Sequence, residues 1–179
     1  MTQDLTLHGL PSKEGPRHRT RRLLFVCDGN ICRSAVALLF FRRHQAAGQL
    51  QDWHSDSAGL VAAPGDVPLR ETRVAARNLG VPVDDHLARP LAASDGQAAL
   101  ALIMEERQRR PLMAATGLDA EQVLMLGRFA PAPDGAAIAD PFGGTPLVYD
   151  ACLQRIGNGV ASLVRWLATP ASMSGKTTL

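Results

Sequence analysis

Cys27 and Arg33 stand with five residues between them in the stretch Cys27-Asp28-Gly29-Asn30-Ile31-Cys32-Arg33-Ser34. An apolar run, Leu23-Leu24-Phe25-Val26, leads into it, and a helical pattern leaves it at Ser34. A loop joining a strand to a helix N-terminus can curl the N–H groups of residues 28–33 into a concave nest for an anion. The positive end of the helix adds to that nest. Arg33 can grip two oxygens of a phosphate with its guanidinium fork. The Ser34 hydroxyl can donate to the Cys27 sulfur. All of these favour a thiolate over a thiol. Gly29 permits a positive φ or a close backbone approach, and Asn30 tolerates the left-handed region. The chemistry predicted is attack by the Cys27 thiolate on the phosphorus of an anion held by Asp28, Gly29, Asn30, Ile31, Cys32, Arg33 and Ser34. A buried structural cysteine with a solvated arginine is the competing reading. The order of strand, loop and helix weighs against it.

A departing oxyanion needs a proton, and a carboxylic acid beside it can supply one and then act as base on water. Asp140-Pro141 is the candidate, in a long segment rich in Pro and Gly. An isolated Asp-Pro is usually a turn; paired with the cysteine loop, the functional reading is preferred. Asp134 and Asp150 lack that context.

Positioning these groups requires alternating elements. The patterns predict strands at Arg22–Val26, Trp53–Ala58, Ala98–Met104 and Gln122–Leu126. They predict helices at Ser34–Ala47, Leu69–Leu79, Glu105–Ala115 and Pro146–Leu167. On the first helix, Val36, Leu38, Leu39 and Phe40 are expected inward; on the second, Val74, Ala75 and Leu79. Pro111 is expected to bend the third helix or delay its start. Segments 59–68 and 127–145 read as loops. Strands alternating with helices imply an α/β fold, a three-layer α/β/α arrangement with a four-stranded parallel sheet and right-handed crossovers. Ligands then bind beyond the carboxyl ends of the strands, where Cys27 sits.

A chain of 179 residues, 46% hydrophobic and 20% charged, fits one domain with a sizeable core. The predicted organisation is a flexible extension at 1–20, a single domain at 21–168 and a disordered tail at 169–179. A net charge of +2 gives no field pointing to nucleic acid or membrane. The basic cluster Lys13, Arg17, His18, Arg19, Arg21 and Arg22 reads as a solvated tail. Met1–Leu10 does not read as an export signal, and no run approaches the roughly 20 apolar residues of a membrane span. Three cysteines do not make a disulfide framework, so a cytoplasmic setting is expected. Ser174-Gly175-Lys176-Thr177 resembles the end of a nucleotide-binding loop, but Pro170 stands where that motif needs glycine.

The loop resembles that of the low molecular weight protein tyrosine phosphatases, whose pattern is Cys, any residue, Gly-Asn, any residue, Cys-Arg-Ser, and then usually proline. The Ala- and Arg-rich wording suggests a bacterial member. Asp56-Ser57-Ala58-Gly59, Gly80-Val81-Pro82, His86-Leu87-Ala88-Arg89, Ile103-Met104-Glu105 and Asp140-Pro141-Phe142 match in the same order, and the resemblance runs from about residue 22 to 167. It implies double displacement on phosphotyrosine or a small aryl phosphate. Cys27 is the nucleophile, Arg33 stabilises equatorial charge, Asp140 is the general acid, and inorganic phosphate leaves after a phosphocysteine is cleaved. Neither a metal nor a cofactor is implied. Ser57 and His86 match the residues that hold the loop asparagine. Cys32 matches a second loop cysteine, expected to trap an oxidised Cys27 as a disulfide or simply to pack. Cys152, on the last helix and far from the site in sequence, is expected in the core. Phe142 is expected to wall a slot for the aromatic ring, with Leu60 and Val61 on the other side.

Two positions depart from the family pattern. Ala35 replaces the proline, and Asp28 follows the nucleophile, where a rim carboxylate is expected to repel acidic substrates. The competing functions are an arsenate reductase using an external low-molecular-weight thiol and a catalytically weak phosphate-binding regulatory module. A monomer or weak dimer is expected.

Overall fold

Arg21–Cys27 (β1) is apolar from Leu23 onward because both of its faces are covered. Leu23, Phe25 and Cys27 point into one apolar cluster, and Leu24 and Val26 into a second on the opposite face. The computed structural model describes residues 21–130, 132 and 135–169. The extension expected at 1–20 and the tail beyond Thr169 lie outside the described residues.

Trp53–Gly59 (β2), Leu100–Ile103 (β3) and Val123–Met125 (β4) complete a four-stranded sheet of order β2-β1-β3-β4, every pairing parallel. Arg33–Ala46 (α1), Arg70–Asn78 (α2) and Pro146–Ala168 (α4) pack together on the Phe25 face. Arg109–Thr116 (α3) covers the other face, where Leu112 joins Leu24, Val26 and Ile103. This is the expected three-layer α/β/α arrangement.

Three expectations change in detail. The first helix lies between the sheet and α4, so Val36, Ala37, Leu38, Phe40 and Phe41 are all buried and Leu39 is the partly exposed member. On α2 the buried residues are Thr72, Ala75 and Ala76, while Val74 faces outward. Thr72, Ala75, Ala76 and Leu79 follow helical spacing, and Val74 falls off that stripe. The third helix begins at Arg109, with Glu106–Gln108 forming a separate turn of 3-10 helix before it. Pro111 thus occupies the first turn, where its missing N–H would have had no acceptor within the helix.

Part of the segment expected as an unstructured loop is well anchored. Leu126–Phe129 forms a 3-10 turn, and Ile138, fully buried, donates its N–H to the Met104 carbonyl at 2.8 Å. Arg155 of α4 donates to the carbonyls of Ala130 (3.2 Å), Ala137 (2.7 Å) and Gly135. Gly127 lets this segment fold back, since a Cβ there would fall 2.1 Å from the Ala136 carbonyl oxygen. These anchors bring Asp140 to the carboxyl edge of the sheet.

Candidate active site

The loop after β1 is held by Asn30. Its φ of 54° lies in the left-handed region, and its side chain is fully buried. The amide Nδ2 donates to Ser34 Oγ (2.9 Å) and Ser57 Oγ (3.0 Å), and Oδ1 accepts the Arg89 N–H (3.0 Å). His86 Nε2 lies 2.7 Å from the Asn30 carbonyl oxygen, so that nitrogen carries the proton. Burial lowers the basicity of His86 more than this bond raises it, leaving it below the ordinary 6.5 and neutral near pH 7. The expected serine and histidine are therefore both brought to the asparagine. Arg89 is an addition. Its guanidinium binds Asp56 (2.7 Å) and the buried Asp95 (2.9 Å through each of two nitrogens), which fixes the backbone that meets Asn30.

Gly59 at the end of β2 runs under the loop, and a Cβ there would sit 2.6 Å from the Asp28 carbonyl oxygen. Leu60 and Val61 donate their N–H groups to the carbonyls of Cys27 and Asp28, both at 3.0 Å. They buttress the loop by backbone and do not line the slot. The Leu60 side chain packs on the Leu24 cluster, and Val61 points to solvent.

Cys27 is buried at the end of β1, with its sulfur 3.0 Å from Ser34 Oγ. The Ser34 hydroxyl has the Ala58 carbonyl as a second acceptor at 3.4 Å, so the sulfur is the nearer partner. Arg33, 1% exposed, is held on all sides. Nη1 donates to Glu105 Oε1 (2.5 Å) and the Ile138 carbonyl (3.1 Å). Nη2 donates to Asp28 Oδ2 (2.9 Å) and Asp140 Oδ2 (2.5 Å). Asp140 Oδ1 accepts the Phe142 N–H at 3.2 Å, an Asx turn that aims the carboxylate. Cys27, Gly29, Ile31, Cys32, Arg33 and Asp140 line one open cavity of about 160 Å³.

A family profile for the low molecular weight phosphotyrosine protein phosphatases matches residues 22–172. The chain belongs to this family. It is 32% identical over 158 residues to a low molecular weight protein-tyrosine-phosphatase of Streptomyces coelicolor, covering 82% of this chain and 94% of that one. A protein-arginine-phosphatase of Geobacillus stearothermophilus is 27% identical, over 83% of this chain and 97% of the relative. Among solved structures, the Erwinia amylovora tyrosine phosphatase amsI superposes with a TM-score of 0.76 at 24% identity, covering 87% and 99% of the two chains, a likeness of fold.

In this phosphatase the apolar walls of the cavity are Ile31, Leu69, Phe142 and Tyr149. Phe142 lines the cavity and is 74% exposed, so it stands at the mouth. Leu69 and Tyr149 take the place expected for Leu60 and Val61. Leu69 immediately precedes α2 and Tyr149 lies in the first turns of α4, so both reach the cavity only through helix packing.

The other two thiols lie close to these groups. Cys32 lines the same cavity as Cys27, and burial pushes it up to about 12, so it is neutral near pH 7. Cys152 is half-buried, with its sulfur 3.7 Å from the Ala139 carbonyl. It packs against the edge of the core and flanks the loop that carries Asp140, and burial pushes it up to about 12 as well. The free rim carboxylate expected at Asp28 is absent. Asp28 accepts from Arg33, Arg107 and Gln108, and the exposure of its side chain is 21%. Glu105, quoted from sequence only as part of a matching string, binds Arg33 directly. Its one sequence signal was an acid directly after a buried strand. No cluster of three or more His, Cys, Asp or Glu side chains able to hold a metal occurs among the described residues.

Proposed function

We propose that this chain hydrolyses phosphotyrosine in proteins, and small aryl phosphates, through a phosphocysteine intermediate. The observation that carries the reading is the convergence of Cys27, Arg33 and Asp140 on one cavity beside the loop that Asn30 holds. A dianionic phosphate entering there meets the loop amides and the Arg33 Nε, which makes no hydrogen bond among the described residues. A bidentate grip through Nε and Nη2 displaces Asp140 from Nη2. The freed carboxylate takes up a proton from solvent and then faces the ester oxygen as a carboxylic acid. Cys27 attacks phosphorus in line, and the S–P bond forms as the P–O bond to the leaving group breaks. Asp140 gives its proton to that oxygen. Asp140 next takes a proton from water, which attacks phosphorus, and the thiolate and inorganic phosphate are released. Arg33 and the loop amides stabilise the equatorial oxygens throughout. Ile31, Leu69, Phe142 and Tyr149 supply apolar walls for an aromatic ring.

The test is hydrolysis of p-nitrophenyl phosphate and of a phosphotyrosine peptide against a phosphoserine peptide. Wild type should release phosphate from the first two and scarcely from the third. Cys27→Ser should be inactive, and acid-quenched wild type should carry phosphorus on Cys27. Turnover without phosphocysteine would overturn the mechanism, and equal turnover of phosphoserine would overturn the specificity. Neither arsenate reduction nor a non-catalytic role is needed to account for the site. The free thiols fit a reducing, cytoplasmic setting, and a monomer or weak dimer is the expected state.

A further inference from the structure

Arg107 was not among the residues expected at the site, yet it closes a ring of charges around Arg33. It donates to both oxygens of Asp28, from Nη1 (3.1 Å) and Nη2 (2.6 Å). It also donates to both oxygens of Glu105, from Nε (3.1 Å) and Nη2 (3.0 Å). Asp28 and Glu105 are in turn the carboxylates that hold Nη2 and Nη1 of Arg33. The order around the ring is Arg33, Asp28, Arg107, Glu105 and back to Arg33. Side-chain exposures of 1% for Arg33, 21% for Asp28 and 22% for Glu105 rise to 58% for Arg107, which forms the outer edge.

We propose that Arg107 is a positioning residue that offsets part of the negative charge of Asp28 and Glu105 at the mouth, so that Arg33 can accept the phosphate of the substrate. The inference rests on the phosphatase reading of the cavity. Arg33 alone faces three carboxylates, Asp28, Glu105 and Asp140. Without a second cation those charges exceed that of the guanidinium and oppose an incoming dianion. Arg107 supplies the cation from outside the anion cradle, on the 3-10 turn Glu106–Gln108. Gln108, fully buried, fixes that turn. Its Oε1 accepts the N–H groups of Met104 (2.9 Å) and Glu105 (3.1 Å), and its Nε2 donates to Asp28 Oδ1 (3.2 Å). The ring also explains how an aspartate is tolerated directly after the nucleophile. Asp28 serves as a bridge between two arginines and leaves no free charge toward substrate.

An exposed ion pair ordinarily contributes little to stability. The role inferred here is therefore read in anion affinity. Orthophosphate binding is measured by calorimetry, and KM and kcat with p-nitrophenyl phosphate, for wild type, Arg107→Ala, Arg107→Lys and the double variant Arg107→Ala/Asp28→Asn. Arg107→Ala should weaken phosphate binding and raise KM by about tenfold at low salt, an effect that shrinks as salt screens the rim. Its kcat should change by less than about twofold, because Arg107 does not touch the reacting atoms. Arg107→Lys should fall between, as a point charge that cannot fork onto two carboxylates. Removing the Asp28 charge in the double variant should restore most of the lost affinity. Phosphate affinity within about twofold of wild type in a folded Arg107→Ala protein overturns the proposal. So does a loss that Asp28→Asn fails to relieve, or a loss confined to kcat. Should wild type bind orthophosphate but hydrolyse no ester, the hydrolase reading fails while the calorimetric series still decides the role of Arg107.

Discussion

At the scale of single residues the site depends on one that does no chemistry as well as on those that do. Asn30 is fully buried and forms four hydrogen bonds through its side chain and carbonyl. Replacing it by alanine strands the Ser57 hydroxyl and the Arg89 N–H and puts a less tolerant residue at positive φ. Asn30→Ala should cost about 2–4 kcal/mol in a urea titration, the sum of a few hydrogen bonds, and should lose phosphate affinity as well. Full affinity in the variant would mean that the loop holds its shape without these bonds. Asp140→Ala should behave differently. It removes the acid and one carboxylate from Arg33, so kcat with a poor leaving group should fall by about 10²–10³-fold, within the range of general acid catalysis. Orthophosphate binding should be kept or strengthened. A fall in kcat that ignores leaving-group quality would place the acid elsewhere.

At the scale of elements, the loop that carries Asp140 works because it is anchored. The contacts from Arg155 and the Ile138 N–H bond to Met104 tie it to α4 and to the end of β3. Gly127 sits where the backbone passes so close to Ala136 that no Cβ fits. Gly127→Ala should push the segment outward, at a stability cost of about 1–3 kcal/mol as for other overpacked sites. Because Asp140 rides on that segment, kcat should fall more than orthophosphate affinity. Equal losses in both would show that the shift spreads to the Cys27 loop.

For the whole molecule, acid sensitivity follows from groups that bind fewer protons folded than unfolded. His86 is held below 6.5 chiefly by burial. Its contribution is complete above that pH and is lost as pH falls through the depressed folded value. Asp28 and Glu105 form a second group. Burial alone would raise them, but the hydrogen bonds from Arg107, with Gln108 on Asp28 and Arg33 on Glu105, together with the guanidinium charges, hold both below their ordinary 3.8 and 4.5. Buried opposite Arg89, Asp95 is held down likewise. Their contributions are present above the ordinary carboxylate range and disappear on further acidification. Thermal unfolding followed from about pH 8 to about pH 3 should therefore show Tm falling in two stages. His86→Gln, which can still donate to the Asn30 carbonyl but cannot titrate, should abolish the first stage alone. A Tm that rises on acidification would contradict these assignments.

The nucleophile loop, the late Asp-Pro, the four strands and the three layers were legible in the chain because each rests on local order. A strand, an anion loop and a helix follow one another without interruption, and buried parallel strands announce themselves as apolar runs. Tertiary structure decided what surrounds Arg33 and the cavity. The strand order places β3 beside β1, and only then do Glu105 and Arg107 meet Asp28, or Leu69 and Tyr149 meet Phe142. Charges and walls contributed by separate segments become neighbours when parallel strands bring their carboxyl ends to one edge. Sequence spacing carries no record of that meeting.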